Sequence, residues 1–171
     1  MWDADRVRDL ADNSGIVIFR GIEVSTDQGH LLVFGLKDYP QNLYCAEELG
    51  QAASEMGAVI VVAHPYRHTP RRVSWKKVGK RPAFRLAHEV EIYNGISSEL
   101  DNELASRLCS HLGFRGVGGS DAHSISQVGL GVTIFDRPIN SDEELVEALK
   151  ARTFQAGRRV DGEFLPVGGG G

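Results

Sequence analysis

Short β-branched runs alternate with helical patterns along this chain of 171 residues. Apolar runs of strand length, bounded by glycine, proline and polar residues, predict β-strands. The predicted strands are Ile16–Phe19 running on to Val24, Leu31–Leu36, Val59–Ala63, Val90–Tyr93, Gly116–Gly118 and Gly131–Phe135, with a short one around Thr153–Gln155. This alternation favours βα units and a mostly parallel sheet.

Four further segments place apolar residues at the spacing of one helix face. The predicted helices are Asp3–Asp12, Ala46–Met56, Leu100–Leu108 and Ser141–Lys150. Gly57 and Gly113 follow the second and third of these as C-terminal stops. Ser141 and Glu144 have the spacing of a capping box, which opens the fourth helix.

The predicted architecture is an α/β barrel that is not complete. A closed parallel barrel usually needs about 250 residues, and this shorter chain begins with a helix. We therefore expect one domain over residues 1–166, a distorted βα barrel without its first units, and a disordered glycine tail over residues 167–171. The open edge of the sheet would be covered or paired, so a homo-oligomer through that edge is one expectation.

Composition is ordinary for a soluble globular protein, with 42% apolar and 25% charged residues. The longest apolar stretch, Ala58–Ala63, is far too short to cross a bilayer. The residues after Met1 have neither the basic start nor the apolar core of a signal peptide. Cys45 and Cys109 have no Cys-x-x-Cys spacing and fit reduced thiols. These features predict a cytoplasmic protein without a membrane partner.

Basic residues are concentrated between Arg67 and Arg85. This segment holds 8 of the 19 basic residues and no acidic one, which leaves 11 basic against 23 acidic residues elsewhere. One interpretation is a solvated loop. The other is an electropositive lip that attracts a phosphorylated or polynucleotide substrate.

Five side chains able to bind a metal stand at or just past the ends of apolar segments: Glu23, His30, His64, Asp121 and His123. In parallel α/β folds this edge of the sheet carries the chemistry. Asp121 and His123 are two residues apart, so on an extended backbone both would point to the same face. The Asp-x-His pair has a plainer alternative, a helix N-cap at Ser120 or Asp121 with an incidental histidine. The alternative for His64 is a structural role.

Other polar residues are assigned supporting roles. Glu91 lies inside a predicted strand, and we expect it to support the site by hydrogen bonds rather than to bind metal. His68 and His88 are possible substrate contacts. His111 is expected to be exposed at a helix end.

Taken together, these segments resemble the PHP family, the polymerase-and-histidinol-phosphatase family of metal-dependent phosphoesterases. The matching strings are GIEVSTDQGH, AHPYRH, VEIYNG and GGSDAH, in the order of the family, between Gly21 and His123. The resemblance implies a distorted βα barrel that holds two or three divalent metals, commonly zinc, manganese or iron. It implies hydrolysis of phosphomonoesters, nucleotides or oligonucleotide phosphates.

The resemblance also implies roles for single residues. Glu23, His30, His64, Asp121 and His123 would be the metal ligands, and Asp121 and His123 would act in catalysis with Arg67. Arg67 would contact the phosphate. With it, the basic segment would supply His68, Arg71 and Arg72 as substrate-binding residues.

Two family motifs, an N-terminal His-x-His and a later Asp-His pair, are not present in this sequence. Five ligands can hold one metal well or two loosely, but not a cluster of three. The true start would then lie upstream of Met1, or the short form would be weakly active or inactive. The alternatives are a non-catalytic PHP remnant that binds metal or phosphate or pairs with a partner, and a nucleic-acid-binding module that depends on residues 67–85 alone.

Overall fold

The computed structural model describes residues 4–36, 44–67, 69–70 and 72–168. Its helices are α1 (Ala4–Ser14), α2 (Ala46–Glu55), α3 (Trp75–Val78), α4 (Ala83–Leu86), α5 (Glu99–Leu112) and α6 (Asp142–Ala151). Its strands are β1 (Gly21–Thr26), β2 (Gly29–Phe34), β3 (Val59–Val62), β4 (Glu89–Asn94), β5 (Val117–Gly119), β6 (Gly131–Phe135), β7 (Phe154–Val160) and β8 (Glu163–Pro166). A short 3₁₀ helix spans Ile125–Gln127.

Five strands form one sheet in the order β1-β2-β3-β4-β5. β3, β4 and β5 pair in parallel, whereas β2 is antiparallel to both β1 and β3. Four of the five strands therefore run in the same direction, and the predicted α/β class with a mostly parallel sheet is confirmed. That the barrel is incomplete stays a prediction, as does the division into one domain and a tail.

A second sheet of three antiparallel strands has the order β6-β7-β8. It meets the first sheet at β5, where the Thr133 hydroxyl donates to the Gly118 carbonyl at 2.8 Å and accepts the Gly118 N–H at 3.1 Å. A threonine side chain thus links the two sheets at their junction.

β3 lies between two apolar layers, and all four of its residues are buried. Ile60 and Val62 belong to a core cluster with buried residues of α2 and α5. Val59 and Val61 pack in a second cluster with two leucines of α6. Because successive side chains of a strand point to opposite faces, a strand covered on both faces needs an uninterrupted apolar run. This is the run that predicted β3.

Three predictions about elements need correction. Residues Ile16–Phe19 are not a strand, and the side chains of Ile16 and Val17 stay 65% and 51% exposed because no described strand pairs with them. The basic segment is not only a loop, since it contains α3 and α4, which bury Val78 and Phe84. β7 runs on to Val160 and returns as β8, which the pattern did not predict.

The remaining expectations concern the ends and the membrane. Residues 169–171 of the predicted disordered tail lie outside the described residues, as does Asp3 of the first predicted helix. Within the described ranges, no helix combines the length and the apolar character that a membrane crossing requires.

Candidate metal centre

The antiparallel strand β2 brings three candidate ligands to one edge of the sheet. His64 follows β3 by two residues, and Glu23 lies on β1. Because β2 runs against β3, its first residues lie beside the end of β3, where the Ala63 N–H donates to the His30 carbonyl at 3.1 Å. His30 therefore reaches the C-terminal edge of the parallel strands although it begins its own strand.

Glu23, His30 and His64 offer one ligand atom each, and these atoms all lie within 4.8 Å of one another. The Glu23 Oε1 atom is 2.7 Å from His30 Nδ1 and 3.2 Å from His64 Nε2. The two imidazole rings meet edge to face at 5.0 Å between centroids. One carboxylate and two imidazoles are a donor set that suits zinc and other first-row divalent metals. The chemistry of these residues thus fits a metal ion.

His64 is held by its backbone as well as by its side chain. Its φ of 23° is unusual for a residue other than glycine, and its N–H donates to Glu91 Oε2 at 2.7 Å. Burial raises the pKa of Glu91 to about 7, although its hydrogen bonds to His64 and Asn94 oppose that shift. Burial and the charge of Arg67 together lower the pKa of His64, against the influence of Glu23 and Asp121.

Asp121 lies beside this group and follows β5. Its Oδ2 atom is 3.9 Å from His64 Nε2, forms an ion pair with the Arg67 guanidinium and accepts a hydrogen bond from Asn94 Nδ2 at 3.2 Å. Burial alone would raise the pKa of Asp121, but the hydrogen bonds from Asn94 and Arg67 and the Arg67 charge bring it below its ordinary value. The carboxylate is therefore held ionised next to His64.

His123 is placed differently from the other four candidates. The prediction of an extended Asp-x-His segment is wrong, because Asp121 has a left-handed φ of 49°. The side chain of His123 is 71% exposed, and its Nδ1 atom lies 2.8 Å from the backbone carbonyl of Asp121. The structure thus brings Glu23, His30 and His64 together, places Asp121 beside His64 and leaves His123 at the rim.

The predicted substrate-binding residues are only partly described. Arg67 contacts Asp121 and donates to Asn94 Oδ1 at 2.9 Å. Arg72 is exposed, whereas His68 and Arg71 lie outside the described residues. His88 is not at this edge, because its Nδ1 accepts the Ile60 N–H near the start of β3. The prediction of His88 as a substrate contact is therefore wrong.

This chain is similar to known proteins, to one family in sequence and to a solved structure in fold. A family model for PHP-associated segments matches residues 99–154, which include Asp121 and His123. The chain is similar to a solved two-domain protein from Bacteroides vulgatus that contains a predicted PHP-like metal-dependent phosphoesterase. The two share 22% identity with a TM-score of 0.69, over 89% of this chain and 48% of the other. No curated protein matches the chain.

The predicted PHP resemblance is confirmed. The matched segment is PHP-associated, and the fold is that of a PHP-like neighbour. This chain spans about half the length of that neighbour.

One residue of this candidate site was not predicted as functional. Asn94 ends β4, is 2% exposed, and its side-chain amide donates to both Glu91 and Asp121. Its carbonyl oxygen accepts a hydrogen bond from Arg67. The signal in the sequence is a polar amide at the end of the apolar run that forms β4, where burial demands hydrogen-bond partners.

Proposed function

We propose that this PHP-like chain binds a divalent metal through Glu23, His30 and His64 and hydrolyses phosphate esters. The observation that carries the proposal is the group of three ligand atoms within 4.8 Å of one another, on strands that the fold brings side by side. A carboxylate with two histidines is the protein ligand set of several hydrolytic zinc sites. Zinc, manganese and iron are the proposed metals, and one or two would bind in this chain.

The residues around the group have separate proposed roles. Glu23, His30 and His64 would hold the ion, which when bound would polarise a phosphoryl oxygen and lower the pKa of water. Glu91 fixes the backbone of His64 through the hydrogen bond to its N–H. Arg67 and Asn94 hold the carboxylate of Asp121 in place. Arg67, which is partly exposed beside Asp121, is also a proposed contact for the phosphate.

A non-catalytic metal-binding or phosphate-binding module is the second candidate. It is favoured by the exposure of His123 and by the pairing of Asp121 with Arg67, which together leave three side chains in the close group. Three ligands can retain a metal without completing a centre that turns over substrate. The two candidates predict the same metal binding but different activity.

Two measurements on purified protein separate the enzyme from the module. The first is titration with zinc and with manganese, and the second is an assay of p-nitrophenyl phosphate hydrolysis. We expect Glu23→Gln to weaken metal binding by roughly tenfold or more, because it replaces an anionic ligand with a neutral amide. Glu48→Gln, which changes an exposed glutamate of α2 in the same way, serves as the control. Metal-dependent hydrolysis that Glu23→Gln abolishes supports the enzyme, and binding without hydrolysis supports the module. Wild-type protein that binds neither metal contradicts both the enzyme and the metal-binding module.

A further inference from the structure

A cavity of about 330 Å³ adjoins the candidate metal centre. Two of the proposed ligands, His30 and His64, form part of its wall. The rest of the wall comes from the turn between β1 and β2, the end of β3 and the basic segment, and it includes Asp27, Thr69, Arg81 and Phe84. A small molecule in this cavity would touch the imidazoles and the basic segment at once.

Arg81 supplies the positive charge of this wall. Its Nη2 donates to the Thr69 hydroxyl at 2.9 Å, and that hydroxyl donates in turn to the Pro65 carbonyl at 2.9 Å. Thr69 is buried, so the hydrogen bond to its hydroxyl holds the Arg81 side chain in place. Among the described residues, no carboxylate lies within ion-pair distance of Arg81. A half-buried guanidinium has five N–H donors, and within the described part of the chain its recorded acceptor is the Thr69 hydroxyl, so donors are left for an anion.

The other polar and apolar groups of the wall fit an anionic organic molecule. The carboxylate of Asp27 is engaged by the Ala46 N–H at 2.9 Å and by the Gln28 amide at 3.0 Å. Val62, Pro65 and Phe84 add an apolar surface. A cation combined with apolar surface is a combination that small-ligand pockets use.

We propose that this cavity binds a small phosphorylated molecule whose anionic group is held by Arg81. The proposal rests on the proposed function, because His30 and His64 form both the metal group and part of the cavity wall. The size of the cavity favours a small molecule as the substrate. Small-ligand pockets run from about 300 to 1,000 Å³, so this cavity takes one small molecule rather than a polynucleotide chain.

The test is calorimetric titration of metal-free protein with inorganic phosphate and with phenyl phosphate. We expect Arg81→Met to weaken binding of both by roughly tenfold, because a charge-assisted hydrogen-bonded pair is lost. Arg85→Met is the matched control, since Arg85 is exposed in α4 and does not line the cavity. It should bind both probes within about twofold of wild type. Equal losses in the two variants, or unchanged binding in Arg81→Met, overturn the proposal.

Two further measurements keep the result clear. When phosphate is added to wild-type protein, the backbone amide NMR signals of Gly29, Thr69 and Arg81 should shift. Shifts confined to other regions would contradict the site, even if Arg81→Met does not fold. A short oligonucleotide that binds more tightly than phenyl phosphate, with a steep salt dependence, would overturn the small-molecule class. Metal titration of Arg81→Met should match wild type. Wild-type protein that binds metal but not phosphate refutes only this inference, whereas wild-type protein that binds no metal refutes the proposed function.

Discussion

Asn94 connects more groups of the candidate site than any other single side chain described above. Its amide nitrogen donates to Glu91 at 3.1 Å and to Asp121 at 3.2 Å, and its oxygen accepts from Arg67. Asn102 holds the backbone of Asn94 at both its N–H and its carbonyl. An asparagine is suited to this position because its amide offers donors and acceptors at once. A change here should therefore be felt by several groups of the site.

The first prediction concerns Asn94→Ala. Removing the amide takes one donor each from Glu91 Oε2 and Asp121 Oδ2 and an acceptor from Arg67, which should lower the free energy of unfolding by about 2 kcal/mol. We also expect metal affinity to fall by roughly tenfold, because groups that orient ligands tune binding. Urea unfolding and zinc titration measure the two effects.

Asn13→Ala provides the control for this substitution, since it removes an exposed asparagine of α1. It should leave zinc binding as in wild type. An Asn94→Ala protein that titrates with zinc like wild type would show that Asn94 does not position the site.

The candidate ligands could be predicted from the sequence because His30 and His64 stand at an end of an apolar run and Glu23 interrupts one. Glu23, His30 and His64 needed only the strand pattern and the order of the motifs. The role of Asn94 could not be predicted in this way, because an amide has no preferred function until its neighbours are known. The exposure of His123 was also beyond the pattern, since it follows from the left-handed backbone at Asp121.

At the scale of elements, glycines let β5 and β6 approach each other closely. A Cβ atom at Gly131 would lie 2.2 Å from the Gly119 carbonyl oxygen, and one at Gly118 would lie 2.3 Å from the Val132 carbonyl oxygen. Both contacts are with backbone, which cannot rotate away as a side chain can. The Asp121 turn follows this junction directly, so the spacing of β5 and β6 sets where that carboxylate lies.

We therefore predict that Gly131→Ala destabilises the fold by at least about 2 kcal/mol, because the added methyl group forces the two strands apart. Gly168→Ala is the matched control, since nothing lies within 4 Å of a Cβ atom at that position. Thermal unfolding compares the two variants. Equal melting temperatures for Gly131→Ala and wild type would contradict a tight junction between β5 and β6.

The strand pattern predicted most elements of the fold but not their partners. β3 and β4 could be read from their apolar runs, whereas Ile16–Phe19 has the same composition and pairs with no described strand. Pairing depends on residues far away in the chain, which a local pattern does not contain. The β7–β8 hairpin did carry a local signal, the dipeptide Asp161-Gly162. Both residues have positive φ, as a two-residue hairpin turn requires.

At the scale of the whole molecule, β4 carries polar groups at both ends that serve different purposes. Asn94 at its C-terminal end, together with Glu91, belongs to the candidate site. At its start, the fully buried Glu89 accepts the N–H groups of Arg115 and Gly116 and forms an ion pair with Arg152. These contacts tie β4 to the segment before β5 and to the end of α6. Stability and binding can therefore be tested at separate ends of one strand.

His88 gives the last prediction, because it lies at the stability end of β4. Its Nδ1 atom accepts the Ile60 N–H at 3.2 Å, so the ring has to be neutral at that atom. Burial lowers the pKa of His88 below 6.5, and the charges of Lys150 and Arg152 lower it further. Below a pH of about 6.5 the unfolded chain then takes up a proton that the folded chain resists, so stability falls as the pH decreases.

We therefore expect the free energy of unfolding to fall between about pH 7.5 and about pH 5.5, and to fall less in His88→Asn. Asparagine keeps an acceptor for the Ile60 N–H but does not titrate. The change in the pH dependence of the free energy of unfolding therefore reports the proton taken up by His88, separately from any change in overall stability. His64 also has a lowered pKa and contributes to both proteins, which is why the difference between them is the measured quantity. His111→Asn, which removes an exposed histidine of α5, controls for loss of a histidine elsewhere. Identical pH slopes for wild type and His88→Asn in urea unfolding would show that His88 gains no proton on unfolding.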